Sequence, residues 1–161
     1  MSSVTIDPAR MRQVMGHFAT GVTVITAVHD GEPVGMACQS FTSLSLEPAY
    51  ISFAPALSST TWPRIRAAHK FAVNILAADQ QDVCRAMGRS GGDKFADVAW
   101  EKGANGAPLL GGSITWIEAD VEHVLPGGDH EIVIGKVSAL ELPRDAEPLL
   151  FYKGAYAGLA G

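Results

Sequence analysis

Apolar and acidic side chains take turns from Ile117 onward. Ile117, Ala119, Val121 and Leu125 alternate with Glu118, Asp120 and Glu122, the period of a strand with one face in a core and the other in water. Pro126-Gly127-Gly128-Asp129 breaks the alternation, and Ile132 to Leu142 supplies a second β-branched run closed by Pro143, so the spacing predicts a long hairpin. Val22 to Val28 and the run beginning at Val34 flank His29-Asp30-Gly31, which predicts another hairpin. Phe41, Leu44 and Leu46 continue the extended pattern up to Pro48, and Tyr50 to Phe53, Phe71 to Leu76 and Leu149 to Tyr152 read as further strands.

Helical spacing is confined to short stretches. Asp7 as N-cap, Pro8 at the first helical position and Met11, Val14, Met15 and Phe18 on one face predict an N-terminal helix that packs this face on a sheet. The hydroxyl-rich segment Leu57 to Pro63 leads into Arg64 to Ala68, so one of its hydroxyls is expected to cap a short helix. Asp79 is expected to cap a third helix running to Met87, with Val83 and Met87 on one side and Gly88 to Gly92 ending it. The stretch from Asp93 to Gly112 reads as loop with a turn of helix near Lys94 and Phe95. Many strands, few helices and no alternating βαβ rhythm predict an all-β dominated fold, a closed antiparallel barrel with helices outside it.

Composition narrows the function. At 161 residues, with 47% hydrophobic and 18% charged residues, the chain (1–161) is expected to form a single domain with its own core. The formal charge of -5 and the scatter of the 12 Lys and Arg argue against nucleic-acid binding, which needs a basic face. The N-terminal residues lack the basic start and apolar centre of a signal peptide, and no apolar run approaches the ~20 residues that span a bilayer, so a cytoplasmic protein is expected. Cys38 and Cys84 lack CxxC spacing and read as small buried hydrophobes. His17, His29, His69, His123 and His130 share no ligand spacing, so no metal site is expected. There is no GxGxxG or P-loop pattern.

Three stretches have the composition of a ligand site. Gly35-Met36-Ala37-Cys38-Gln39-Ser40-Phe41-Thr42-Ser43 combines small residues, an amide and hydroxyls in extended chain, suited to laying backbone polar groups along a flat ring, or to an ordinary barrel strand. Ser58, Thr60 and Thr61 before a helix start could hold a phosphate, or simply cap the helix. Gly127-Gly128-Asp129-His130 sits at the predicted hairpin tip, where the glycines allow close backbone approach and His130 offers a titratable ring, or the segment is an exposed turn. Lys94-Phe95 and Tyr152-Lys153-Gly154 have the same double reading, as cofactor contacts or as a helix start and a strand edge.

Together these stretches resemble the flavin reductase family that serves two-component flavin-dependent monooxygenases, which has the FMN-binding split β-barrel fold. The landmarks stand as Phe18-Ala19-Thr20-Gly21-Val22-Thr23-Val24, Cys38 to Pro48, Phe71 to Leu76, Asp93-Lys94-Phe95, Gly128-Asp129-His130 and Pro148 to Gly154, over nearly the whole chain. The Cys38-Gln39-Ser40-Phe41 version is similar to reductases paired with hydroxylases of phenolic or steroid-derived rings. The resemblance implies that Met36, Ala37, Cys38, Gln39, Ser40, Phe41 and Ser43 lie along the isoalloxazine and that Ser58, Thr60 and Thr61 meet the flavin phosphate. It also places Lys94 and Phe95 near the flavin, Gly128, Asp129 and His130 beside the nicotinamide, and Tyr152 at the border of the site. Lys153 stands where many relatives carry Arg.

The implied reaction is hydride transfer from NADH, or NADPH, to FAD or FMN, with FAD the preferred expectation, and delivery of the free reduced flavin to a separate monooxygenase. A homodimer with flavin sites near its interface is implied as well. Two rivals stay open: a split-barrel oxidase that retains its flavin, and a non-catalytic flavin carrier.

Overall fold

The computed structural model describes residues 4–160. In chain order the elements are α1 (Pro8–Met15), β1 (Thr20–Gly21), β2 (Thr23–His29), β3 (Glu32–Cys38), β4 (Thr42–Leu46), β5 (Ala49–Phe53), α2 (Trp62–Ala68), β6 (Lys70–Ile75), α3 (Gln81–Met87), β7 (Trp100–Lys102), β8 (Pro108–Leu110), β9 (Thr115–Gly127), β10 (His130–Glu141), β11 (Leu150–Tyr152) and β12 (Ala155–Ala157). Seven strands form one antiparallel sheet in the order β3-β2-β6-β9-β10-β5-β4, while β1-β11-β12 and β7-β8 make smaller sheets.

The large sheet is split, where the strand pattern alone predicted a closed barrel. Its edge strands, β3 and β4, do not pair with each other. The chain passes between them through residues 39–41, and one side chain stands where a ladder would run: Ser40 Oγ accepts from Ala54 N at 2.8 Å and donates to Ala54 O at 3.3 Å.

β2 is buried on both faces, which organises two cores. Ile25 and Ala27 join Phe53, Trp62, Ile65, Phe71 and Val133 inside the curved sheet. Val22 and Val24 face outward and pack with Leu76, Met87, Phe95, Leu110 and Leu149 under α3 and the C-terminal segment. Each such large side chain contributes roughly 1.5–3 kcal/mol by leaving water.

Local chemistry fixes several elements as expected. Asp7 accepts from Ala9 N at 3.1 Å at the start of α1, with Pro8 at the first helical position. Ser59 is the hydroxyl that serves α2, accepting from the N–H groups of Thr61 at 3.2 Å and Trp62 at 3.1 Å, so the helix begins two residues before the expected Arg64.

Other expectations are corrected. Asp79 does not cap α3; Gln80 occupies that position, and Asp79 instead pairs with Arg144, whose Nη2 lies 2.7 Å from Asp79 Oδ2. The α1 face is not packed on a sheet, since Met11, Val14, Met15 and Phe18 are all exposed. The stretch from Asp93 to Gly112 contains the hairpin β7-β8, and the C-terminus adds β12. The face of β9 expected to be wet is dry at Glu118, which is 6% exposed beneath the loop before β8 and accepts from Asn105 N at 2.8 Å. A bulge opposite Ile134-Gly135 then reverses the alternation, so that Val124 packs on the core and Leu125 faces out.

Candidate functional site

The β9-β10 hairpin closes through a two-residue loop, with Gly127 opposite His130 and Gly128 at φ +74°, a conformation open to glycine and strained for other residues. The tip is not free in solvent. Leu57 N donates to Asp129 O at 2.9 Å, Glu131 N donates to Pro55 O at 3.0 Å, and Ala56 bridges His130, extending the β5-β10 ladder past the end of β5. The Gly128-Asp129-His130 tip is thereby laid beside the segment that runs directly into Ser58–Thr61. His130 Nδ1 lies 2.7 Å from Asp129 Oδ1, and this hydrogen bond is the main reason the Asp129 carboxyl sits below the usual carboxylate range.

The hydroxyl loop lines a cleft of about 270 Å³ with Met36, Ala37, Met87, Gly88, Arg89, Ser90 and Lys94. A neighbouring cleft of about 440 Å³ shares Thr60, Thr61 and Lys94 and adds Arg64, the Glu32–Gly35 end of β3 and Gly91–Phe95. Ser58 and Thr60 are exposed, while Ser59 and Thr61 are engaged with the protein. Lys94 braces the floor: its Nζ donates to Gly35 O and Met87 O, both at 3.0 Å, and to Thr61 Oγ1 at 3.4 Å. Burial, and then the charges of Arg64 and Arg89, push its ammonium below the usual lysine range. Lys94 is common to both clefts, with Arg89 beside it in the smaller and Arg64, together with Glu32 and Asp93, in the larger; next to the exposed hydroxyls an incoming phosphate would relieve the repulsion among the cations and find charge-assisted donors.

Arg64, Arg89 and Ser90 were missed by the sequence reading. The signal was available in Arg89-Ser90 directly after the helix that Gly88 ends, but nothing local joins those residues to Arg64.

The run from Met36 to Ser43 divides between two clefts along its length, Met36 and Ala37 lying at one and Gln39 to Thr42 at the other. Ala37 faces outward beside the hydroxyl loop, whereas Cys38 is buried in the inner core, its Sγ 3.1 Å from Ser40 Oγ, so only its backbone is available to a ligand. Gln39, Ser40, Phe41 and Thr42 instead line a cleft of about 460 Å³ with Phe18–Thr23 and Ile75. Thr20 Oγ1 in that cleft is buried and has no hydrogen-bond partner among the described residues, a polar atom left for a ligand. The free hydroxyl there, with the cation-bearing clefts at the other end of the strand, fits an elongated polar ring carrying a phosphate tail.

Two other expected residues are placed differently from their neighbours in sequence. Phe95 is only 8% exposed and stacks edge-on with Trp100, with its ring so close beneath Gly35 that a Cβ there would stand 3.1 Å from Cζ. Ser43 is exposed on the β4 edge. Tyr152 lies on the separate β11 strand beside His17 and Lys153, and the single chain does not bring it to the hydroxyl loop.

The sequence profile of the "Flavin reductase like domain" family matches residues 15–160. The chain is 46% identical to the reductase subunit HsaB of a flavin-dependent monooxygenase from Rhodococcus jostii (strain RHA1), over 99% of this chain and 82% of that protein. A homologue of nitrilotriacetate monooxygenase component B from Mycobacterium thermoresistibile superposes with a TM-score of 0.92 at 45% identity, covering 94% of this chain and 86% of that one. The Streptomyces globisporus NADH:FAD oxidoreductase SgcE6, solved with NAD and FAD fragments, gives a TM-score of 0.90 at 34% identity over 98% of each chain. A profile match over most of the sequence, joined to a shared fold, means that this chain belongs to the flavin reductase family.

Proposed function

We propose that the protein is an NADH-dependent oxidoreductase that reduces free FAD or FMN by hydride transfer and hands the reduced flavin to a separate monooxygenase. The observation that carries this reading is the ladder between Pro55–Leu57 and Asp129–Glu131, which sets the His130 tip beside the loop that opens the cation-lined cleft. Bound flavin supplies the hydride acceptor and the nicotinamide supplies the hydride.

The chain's own part is binding and orientation. Ser58 and Thr60 donate to the phosphate, with Arg64, Arg89 and Lys94 supplying the field that holds it. The backbone of Met36–Phe41 and the Thr20 hydroxyl orient the ring. His130 hydrogen-bonds or packs against the nicotinamide side, with its Nδ1 beside the Asp129 carboxylate.

The active form is read as a homodimer. Met11, Val14, Met15 and Phe18 form an apolar face with no cover in the single chain, and Phe18 borders the Thr20 cleft. A cytoplasmic location fits this chemistry, and no described helix is long and apolar enough to cross a membrane. The test is NADH oxidation by flavin-stripped protein as free flavin is titrated in: rate that rises and saturates with added flavin supports the reading, and rate that ignores it rejects it.

A further inference from the structure

We infer that Glu131 is a positioning residue, acting through His130 to set the geometry of hydride transfer. The inference rests on the reading of His130 given above. His130 has few restraints of its own: its ring touches Asp129, whose side chain is 95% exposed, and its backbone is held by the Ala56 bridge. The next residue is anchored far more firmly. Glu131 Oε1 accepts from Trp62 Nε1 at 2.9 Å, and Arg66 Nη1 donates to Glu131 Oε2 at 3.0 Å.

Trp62 is a fixed point. Its ring is 2% exposed and packs edge-on against Phe53 at 5.6 Å between centroids, inside the sheet. Trp62 and Arg66 are one helical turn apart on α2, so they form a two-pronged grip on one carboxylate. Trp62 also directly follows Thr61, and its own N–H is held by Ser59. The end of α2 that shapes the hydroxyl loop therefore also clamps the residue next to His130. Successive strand side chains point to opposite faces, so a grip on Glu131 from the core side orients His130 outward.

Loss of the grip should move His130 without emptying the phosphate site. Displacements of about 1 Å in a reacting constellation cost up to about 100-fold, and with the backbone ladder intact we expect roughly a tenfold fall for Glu131→Ala. Stopped-flow reduction of FAD by NADH, with FAD affinity measured separately by fluorescence titration, reads the effect. The inference predicts that Glu131→Ala lowers the limiting reduction rate about tenfold, keeps FAD affinity within about twofold, and adds no further loss in a His130→Ala background. Glu131→Gln, which keeps an acceptor for Trp62, should recover most of the rate. Trp62→Phe, which keeps a ring in the core and removes the indole N–H together with some packing volume, should reproduce the loss and carries the test if Glu131→Ala does not fold. A wild-type rate in both Glu131→Ala and Trp62→Phe, or a loss that recurs in full when His130 is already Ala, would overturn the inference while leaving the His130 reading standing. A wild-type rate in His130→Ala alone would instead overturn that reading and this inference with it.

Discussion

Leu57 and Asp129, 72 residues apart in sequence, are joined by a 2.9 Å backbone hydrogen bond that fuses the hairpin tip to the hydroxyl loop. In the proposed function, binding of the phosphate end and placement of His130 would therefore fall to one contiguous backbone unit. His130→Ala should slow flavin reduction by about ten- to a hundred-fold, the equivalent of roughly 1.4–2.8 kcal/mol of transition-state contact. Flavin affinity should stay near wild type, because the phosphate grip lies on other residues. Stopped-flow reduction across a full NADH titration checks this; an unchanged rate would reduce His130 to a turn residue.

The four hydroxyls of the loop divide by role. Ser58 and Thr60 are exposed at the cleft, so Ser58→Ala with Thr60→Ala should weaken flavin binding by roughly 1.5–3 kcal/mol per lost charge-assisted bond without lowering Tm. Ser59 holds the turn into α2 through Thr61 N and Trp62 N, and Ser59→Ala should cost about 1 kcal/mol of stability. Flavin titration and thermal melts on the two variants separate these effects, and a loss of affinity confined to Ser59→Ala would place the phosphate elsewhere.

Lys94 gives the site a pH dependence with a definite sign. Its pKa is lowered, first by burial and then by Arg64 and Arg89, so it loses its charge at a lower pH than an ordinary lysine. An anionic ligand favours the charged form; binding therefore takes up protons, and flavin affinity falls as pH rises through that lowered pKa. Affinity measured from pH 7 upward should decline before the ordinary lysine range, and Lys94→Met should flatten the decline.

The buried amide of Asn74 holds three elements together. Its Nδ2 donates to Val24 O and Thr26 Oγ1, both at 3.0 Å, and its Oδ1 accepts from Leu110 N at 2.8 Å. Asn74→Ala removes the acceptor of the buried Leu110 N–H, while Thr26 Oγ1 keeps its bond to Pro108 O at 2.6 Å, and should cost about 1–3 kcal/mol, seen as a lower denaturation midpoint with an unchanged m-value.

What could be read from the sequence was whatever local chemistry decides. The Asp7-Pro8 start, the turns at His29–Gly31 and Pro126–Asp129, and the long β-branched runs all act over a few residues, and they are found where expected. The errors share a cause in long-range partners. Asp79 has the composition of a cap but is claimed by Arg144, 65 positions later. Glu118 belongs to a polar stripe by alternation, yet Asn105 covers it. The β7-β8 hairpin has too few residues to show a period, and it is held by Asn74 and by Trp116 Nε1 donating to Leu110 O at 2.9 Å. At the candidate site, the hydroxyl loop and hairpin tip stand out as motifs, whereas the cations do not, because Arg64 and Arg89 come from different helix ends and approach Lys94 only in the fold.

The unexpected exposure of α1 has a measurable consequence. Met15→Glu combined with Phe18→Glu puts charge on a face that a partner subunit would cover. Sedimentation should then show a dimer for the wild type and a shift to monomer for the variant; a wild-type protein that is monomeric and fully active at assay concentration would contradict the dimer reading.

In the proposed function flavin enters and leaves as a substrate. The most direct measurement is NADH consumption by protein first stripped of all flavin, with FAD then added in steps from none to saturation. The account predicts little oxidation without flavin and a steep, saturable rise with it, reduced flavin accumulating free in solution when oxygen is excluded. A stripped sample whose rate is independent of added flavin, or reduced flavin that stays with the protein through rapid gel filtration, would contradict it.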